Sequence, residues 1–258
     1  MTEIPSRDEL VSRAEALIPS LQSRRHQAHD ERKLPVENVK EVVEAGLFKL
    51  TQPRRVGGYE ADLHTHIDVI GALAQGCAST AWVVSVCHAH AWLMGCFPKQ
   101  AQDDSYGQNP DAIITAVIGP RGKATRVDGG YQLSGFWPFC SGVAHADWVL
   151  LGGFVLGDDG NPVDDGDFLI PSSELSIRDD WNVTGLRATG SSSVSVEELF
   201  IPDHRYLSFP AMIAGEAPGR DLHATNLYKG APIPLLSFGV TSPALGIAEG
   251  AINAFKAH

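Results

Sequence analysis

Apolar residues recur at helical spacing through most of the first hundred positions, and in short, turn-punctuated runs after that. Leu10, Ala14, Leu17, Ile18 and Leu21 step by three and four behind Ser6, a good N-cap. Asp8 and Glu9 lie in the first turn, where the helix dipole favours acids. Arg24, Arg25 and His26 continue that helix. A second helix starts at Pro35 and carries Val36, Val39, Val42 and Val43 to Gly46. Beyond the Gly57-Gly58 turn, the pattern predicts a third helix over residues 63–75, a fourth over 79–97 and a short fifth opened by Pro98.

The period changes after Pro110. Residues 113–118, 131–135, 148–156, 168–170 and 193–201 are short runs rich in Val, Ile, Leu and aromatic residues, separated by Asp128-Gly129-Gly130 and by Gly157-Asp-Asp-Gly160. Such spacing predicts a small β-barrel or sandwich. From Ile233 the helical period returns through Leu235, Leu236, Val240, Leu245, Ile247 and Ala251, and Pro243 is expected to kink or restart that helix. Helices, then strands, then a helix give an α+β chain, not a doubly wound parallel sheet. The expected division is a helical domain over residues 1–110, a β domain over 111–208, and a loop with the first helix of a third part over 209–258. That last helix meets no terminating signal before His258, which reads as a fragment lacking the rest of a helical bundle.

Composition narrows the function classes. In 258 residues, 31 acids against 20 lysines and arginines give a net charge of −11. With no basic patch, nucleic acid is not an expected partner. The apolar fraction of 43% is that of a globular chain. The longest apolar stretch, 81–97, is broken by His88 and His90 and falls short of the roughly 20 residues of a spanning helix, so no membrane is expected. The N-terminus lacks a secretory pattern, and Cys77, Cys87, Cys96 and Cys140 form no CxxC pair, as in a cytoplasmic protein with reduced thiols.

Two histidine pairs, His64-Thr-His66 and His88-Ala-His90, sit on predicted helices. Residues two apart on a helix diverge by about 200°, so neither pair closes on one ion and no metal is expected. One histidine of the first pair is expected in solvent and the other packed. In the second, His90 shares a stripe with Trp82, Val86 and Leu93, while His88 faces away. By itself, such a histidine is usually a satisfied core residue.

Phe136-Trp137-Pro138-Phe139-Cys140-Ser141-Gly142 places Trp137, Phe139 and Ser141 on one face if the segment is extended. That face suits a planar aromatic ligand with a polar edge, and equally an aromatic core strand. Trp181 to Ser193 crowds glycines, hydroxyls and Arg187 before a strand. It reads either as an anion site or as a polar hairpin.

Taken together, these segments resemble the acyl-CoA dehydrogenase superfamily. The resemblance rests on Gly46-Leu-Phe-Lys-Leu-Thr-Gln-Pro53 with Gly57-Gly58, on Tyr131-Gln-Leu-Ser-Gly135 with Ala146-Asp147-Trp148, and on 181–196 with Phe200-Ile-Pro-Asp-His204-Arg205. The form W-x-F-x-S-G at 137–142 is similar to the two-component flavin-dependent monooxygenases. So are Ser79-Thr-Ala-Trp82 and His90-Ala-Trp92 upstream, and Gly185-Leu-Arg187-x-Thr-Gly-Ser191 downstream.

The resemblance implies an N-terminal helical domain, a central small β-barrel and the start of a C-terminal helical bundle. It implies the oxygenase component of a monooxygenase. A separate NAD(P)H-dependent flavin reductase supplies reduced FMN or FAD. Through a flavin C4a-hydroperoxide, O2 hydroxylates a small aromatic substrate, phenolic or polycyclic. Ser141 matches the family hydroxyl near flavin N5. Phe139 is expected to line the ring, Trp82 and Trp137 to wall the pocket, and Thr115 and Arg187 to contact the cofactor. His90 matches the family histidine that binds the phenol and favours its phenolate. A homotetramer is implied. Where some relatives carry a serine run, residues 114–117 keep a hydroxyl only at Thr115, which points to a different or more apolar substrate. The competing reading is an FAD-dependent acyl-CoA dehydrogenase acting on an acyl thioester.

Overall fold

The computed structural model describes residues 4–223 and 225–256. Six helices come first: α1 (Arg7–Ser23), α2 (Arg25–Glu31), α3 (Val36–Glu44), α4 (Leu63–Gly76), α5 (Ala78–Cys96) and α6 (Lys99–Tyr106). Ser6 caps α1 by accepting from the Glu9 amide, and Asp62 caps α4 by accepting from Thr65. Helix α1 does not run on through Arg24 as its sequence pattern predicts. The backbone there leaves the helical region (φ −97°, ψ 9°), and α2 begins as a separate element. Helix α5 is buried on nearly every side, between α4, α8 and the first strand.

Seven strands follow: β1 (Ile114–Val127), β2 (Gly130–Trp137), β3 (Trp148–Leu156), β4 (Pro162–Pro171), β5 (Ser176–Ile177), β6 (Val194–Pro202) and β7 (Tyr206–Ser208). They form one sheet in the order β5-β6-β2-β1-β3-β4-β7. Every pairing is antiparallel except β1 with β3, where Ile114 lies opposite Trp148. The expected barrel is corrected to an open sheet: β5 and β7 sit at its two ends and do not pair with each other. These end strands span only two and three residues, too little backbone to zip the edges together. Strand β3 is covered on both faces. Leu150 packs with Leu93, Phe97 and Tyr106 of the helical layer. Val149 and Leu151 pack with Leu133, Trp137, Phe168 and Ile170 on the other side.

A short helix α7 (Phe209–Ile213) and the long α8 (Pro232–Lys256) end the described chain. The expected extension of α8 to His258 lies outside the described residues. Helix α8 packs on α4 and α5 and leaves Ile233, Val240, Leu245, Ile252 and Phe255 exposed. By length and composition it passes the test for a membrane-spanning helix, with only 24% of that stretch buried. It also runs unbroken through Pro243. A proline removes the amide that would bond the carbonyl four residues back, at Gly239. The Ser85 hydroxyl donates to that carbonyl at 2.5 Å, so the helix does not need to break.

Candidate functional site

Strand β2 ends at Trp137 because Pro138 has no amide for the ladder. The chain then turns. Phe139 adopts φ +70°, a left-handed conformation that an aromatic residue rarely takes, and its ring is 65% exposed. The Cys140 amide donates to the Ser192 carbonyl, and the Gly142 amide to the Thr189 carbonyl. Gly142 itself is at φ +73°, and a Cβ there would lie 2.7 Å from Val83 of α5. The turn is thus clamped between α5 and the 189–192 segment.

That clamp aligns a row of polar groups. Trp82 Nε1 donates to Ser141 Oγ at 3.1 Å. Ser141 Oγ and Ser191 Oγ are 2.9 Å apart, and Ser191 Oγ and Thr189 Oγ1 2.6 Å. From β1, Thr115 Oγ1 donates to the Ser141 carbonyl at 2.6 Å. Beside the row, Phe139 meets Trp181 edge-to-face, with centroids 5.9 Å apart. Thr115, Thr189 and Ser191 are buried, whereas Trp82, Ser141 and Trp181 are half-buried. Phe139 is exposed and Trp82, Ser141 and Trp181 are partly so, rings and a hydroxyl whose chemistry suits a flat aromatic ligand with a polar atom on its edge.

Of the residues singled out in the sequence, Trp82, Thr115, Phe139 and Ser141 come together. Trp137 does not. It is fully buried, donates from Nε1 to the Gly152 carbonyl at 2.7 Å, and belongs to the core of the sheet. Alternating faces require an extended backbone through Phe139, and the positive φ there breaks the alternation. Arg187 is also committed elsewhere. Its Nε donates to the His29 carbonyl and Nη1 to the Val183 carbonyl, tying the loop to α2. In the sequence, Ser191 and Thr189 stand out only as part of a polar segment. What joins them to Ser141 is the Gly142–Thr189 backbone bond, which no sequence spacing announces.

His90 and His88 point to opposite sides of α5. His88 meets His66 and the Leu47 carbonyl, while His90 meets the Ile114 backbone. His90 is 8% exposed, and burial lowers its pKa to about 3 against the smaller opposing effect of the Ile114 hydrogen bond. The ring is therefore neutral at physiological pH. Its Nδ1 is buried without a hydrogen-bond partner. A buried polar atom without a partner is costly, which makes Nδ1 a candidate contact for a bound ligand. Ile114 and Thr115, adjacent in β1, thus contact His90 and Ser141 respectively. His64 lies in solvent and His66 is buried.

Residues 8–107 match the family model described as the acyl-CoA dehydrogenase N-terminal domain. The oxygenase subunit HsaA of a flavin-dependent monooxygenase from Rhodococcus jostii (strain RHA1) is 40% identical over 248 residues, covering 96% of this chain and 65% of the relative. The oxygenase component of an FADH2-dependent resorcinol hydroxylase from Rhizobium sp. (strain MTP-10005) is 34% identical, covering 96% of this chain and 61% of that one. The crystal structure of the HsaA monooxygenase from M. tuberculosis superposes with a TM-score of 0.93 at 37% identity, covering 97% of this chain and 68% of that one. The chain spans just under two thirds of the length of the curated relatives it matches.

Proposed function

Because the chain belongs to the acyl-CoA dehydrogenase superfamily, in the branch of flavin-dependent monooxygenase oxygenase components, we propose that it hydroxylates a small phenolic or polycyclic aromatic compound with reduced flavin and O2. A separate NAD(P)H-dependent reductase supplies the flavin. The observation that carries this reading is the Trp82–Ser141–Ser191 hydrogen-bonded row beside the exposed ring of Phe139.

The residues present fit a flavin. Its tricyclic ring is flat and apolar on its faces, with nitrogen and oxygen atoms on its rim. Phe139, Trp82 and Trp181 offer apolar surface, and the Ser141 hydroxyl, bonded to the Trp82 indole, offers a polar contact. When bound, reduced flavin activates O2 for transfer of one oxygen atom to the substrate ring.

The protein's own work is positioning and exclusion of water. Thr115 holds the Ser141 backbone, and Trp82 holds its hydroxyl. His90 accepts a hydrogen bond from the phenol hydroxyl at Nδ1. As a neutral, deeply buried base it polarises that O–H rather than removing the proton, which still raises electron density in the ring. Burying the substrate against α5 keeps water from the reacting edge. The same reading includes a homotetramer in the cytoplasm.

The test incubates the full chain with FMN, NADH, a flavin reductase, O2 and a panel of phenols, and looks by mass spectrometry for products heavier by one oxygen. Such products support the reading. In a parallel incubation with FAD, an acyl-CoA and an artificial electron acceptor, an enoyl thioester together with no hydroxylated phenol in the first overturns it in favour of the dehydrogenase.

A further inference from the structure

A 410 Å³ cavity lies between the C-terminal end of α5 and the segment that runs from α7 into α8. Its volume is in the range of small-molecule sites. The walls are mostly apolar, with Trp92 and Cys96 from α5 and Met212 and Tyr228 from the segment. The polar atoms of the two rings are spent inside the protein. Trp92 Nε1 donates to the Leu227 carbonyl at 2.9 Å, and the Tyr228 hydroxyl donates to the Thr51 carbonyl at 2.7 Å. Arg220 also lines the cavity, and its guanidinium is left unmatched. Nη1 donates to the Gly215 carbonyl at 3.0 Å, but Nε is buried with no acceptor. Among the described residues, no carboxylate pairs with Arg220, and no acidic side chain lines the cavity. A buried N–H without an acceptor is a costly state. Nε and Nη2 form the edge of a guanidinium that grips a carboxylate through two parallel hydrogen bonds.

We propose that this cavity binds a monocarboxylate with an apolar body of one or two rings, its carboxylate held by Arg220 and its rings packed against Trp92 and Met212. An uncompensated guanidinium on an apolar wall runs against the charge of a chain that carries −11 overall. A dianionic phosphate fits less well, because Lys229, the other cation on the wall, is exposed and has Asp221 3.9 Å away. The ligand is distinct from the flavin and from the aromatic substrate of the reading above. Trp92 and Cys96 lie about 200° and 240° around α5 from His90, so the cavity faces a side of the helix that His90 does not share. None of Trp82, Phe139, Ser141 and Trp181 lines it. Because its walls come from α5 and from the segment after α7, an occupant ties the two together.

The experiment titrates the purified full chain by calorimetry with naphthalene-2-carboxylate and with naphthalene-2-carboxamide, which has the same shape and no charge. The wild type is expected to bind the carboxylate about ten- to a hundredfold more tightly, the value of a charge-assisted hydrogen-bonded pair. Arg220→Gln brings the two affinities together by weakening the carboxylate. Arg220→Lys, which keeps the charge and loses the fork, retains part of the preference. Saturating FMN leaves the carboxylate affinity unchanged. Ile213 lines the cavity and is 54% exposed, so Ile213→Trp narrows the space without disturbing the core. It is expected to weaken both compounds, and it tests the site should Arg220→Gln fail to fold. Equal affinities in the wild type, or no binding of either compound, overturn the proposal. So does a preference that survives Arg220→Gln, or binding that Ile213→Trp leaves intact. Displacement of the carboxylate by FMN places it on the flavin face and overturns the second site while leaving the flavin reading untouched.

Discussion

His66 and His88 meet between α4 and α5 with their Nδ1 atoms 2.9 Å apart, and both rings are buried. His88 Nε2 lies 2.6 Å from the Leu47 carbonyl and must donate to it. His88 Nδ1 is therefore the acceptor and His66 Nδ1 the donor, an arrangement that requires a neutral His88 ring. Burial first, then the proximity of His66, lowers the His88 pKa to about 3.

This makes stability fall in mild acid. His88 and His90 have folded pKa values depressed from 6.5 to about 3, so between those values the unfolded chain binds two protons that the folded chain refuses. Asp167 works against them. Burial, then Asp165, raises it from 3.8 to about 7, so it holds a proton in the folded state that the unfolded chain releases. These three groups net to one proton and His145, which burial also pushes down, adds in the same direction, so unfolding free energy is expected to drop by at least about 1.4 kcal/mol per pH unit between pH 5.5 and 4.5. Denaturant midpoints at several pH values check it; a flat profile contradicts the neutral assignment of the histidines.

Asp167→Asn isolates the opposing group. Asp167 is 2% exposed with one carboxylate oxygen unpartnered. Its contribution to stability is complete below pH 3.8 and is lost as pH rises through about 7. The amide keeps the shape without the buried charge. The variant is expected to gain about 1 kcal/mol or more at pH 8 and to steepen the acid limb toward two protons. No gain at pH 8 would mean that the carboxylate is solvated there.

Ser85 and Pro243 are expected to be coupled. Ser85→Ala strands the Gly239 carbonyl and is expected to cost about 1–3 kcal/mol. In a Pro243→Ala background the restored amide bonds that carbonyl, and the same change is expected to cost less. A double-mutant cycle measured by chemical denaturation reads the coupling, and strict additivity refutes it.

Phe139 holds a left-handed backbone and exposes its ring, so stability and ligand binding are expected to part there. Phe139→Asn relieves a conformation that asparagine tolerates, leaving stability unchanged or raising it by up to about 1 kcal/mol, while FMN binding weakens. A loss of stability with FMN binding intact would make Phe139 a structural residue.

His90→Phe fills the same space without an acceptor. With reductase, flavin and a phenol that the wild type converts, the variant is expected to keep consuming O2 but divert most of it to H2O2. Unchanged product yield removes His90 from substrate binding.

Local chemistry is legible in the sequence and long-range pairing is not. The Ser6 cap and the apolar steps of α1 lie within a few residues of one another, so the spacing of Leu10, Ala14 and Leu21 reports that helix directly. The parallel β1–β3 pairing joins strands with a whole strand and a turn between them, and no alternation pattern carries that partner choice. The His66–His88 contact escapes for the same reason: the angle of each histidine on its own helix does not say which helix lies opposite. At the site, Trp82 and Ser141 are evident as residue types, but Trp137 is misplaced because one positive φ at Phe139 exchanges the two faces. Ser191 and Thr189 lie in a segment whose hydroxyls suggest an anion and serve another hydroxyl instead.

The most direct measurement is a crystal structure of the full chain with FMN. The isoalloxazine is expected against Phe139 and Trp82, with a ring nitrogen within hydrogen-bond distance of Ser141 Oγ. A flavin ring seated elsewhere, such as in the 410 Å³ cavity lined by Trp92, Met212, Arg220 and Lys229, would contradict it.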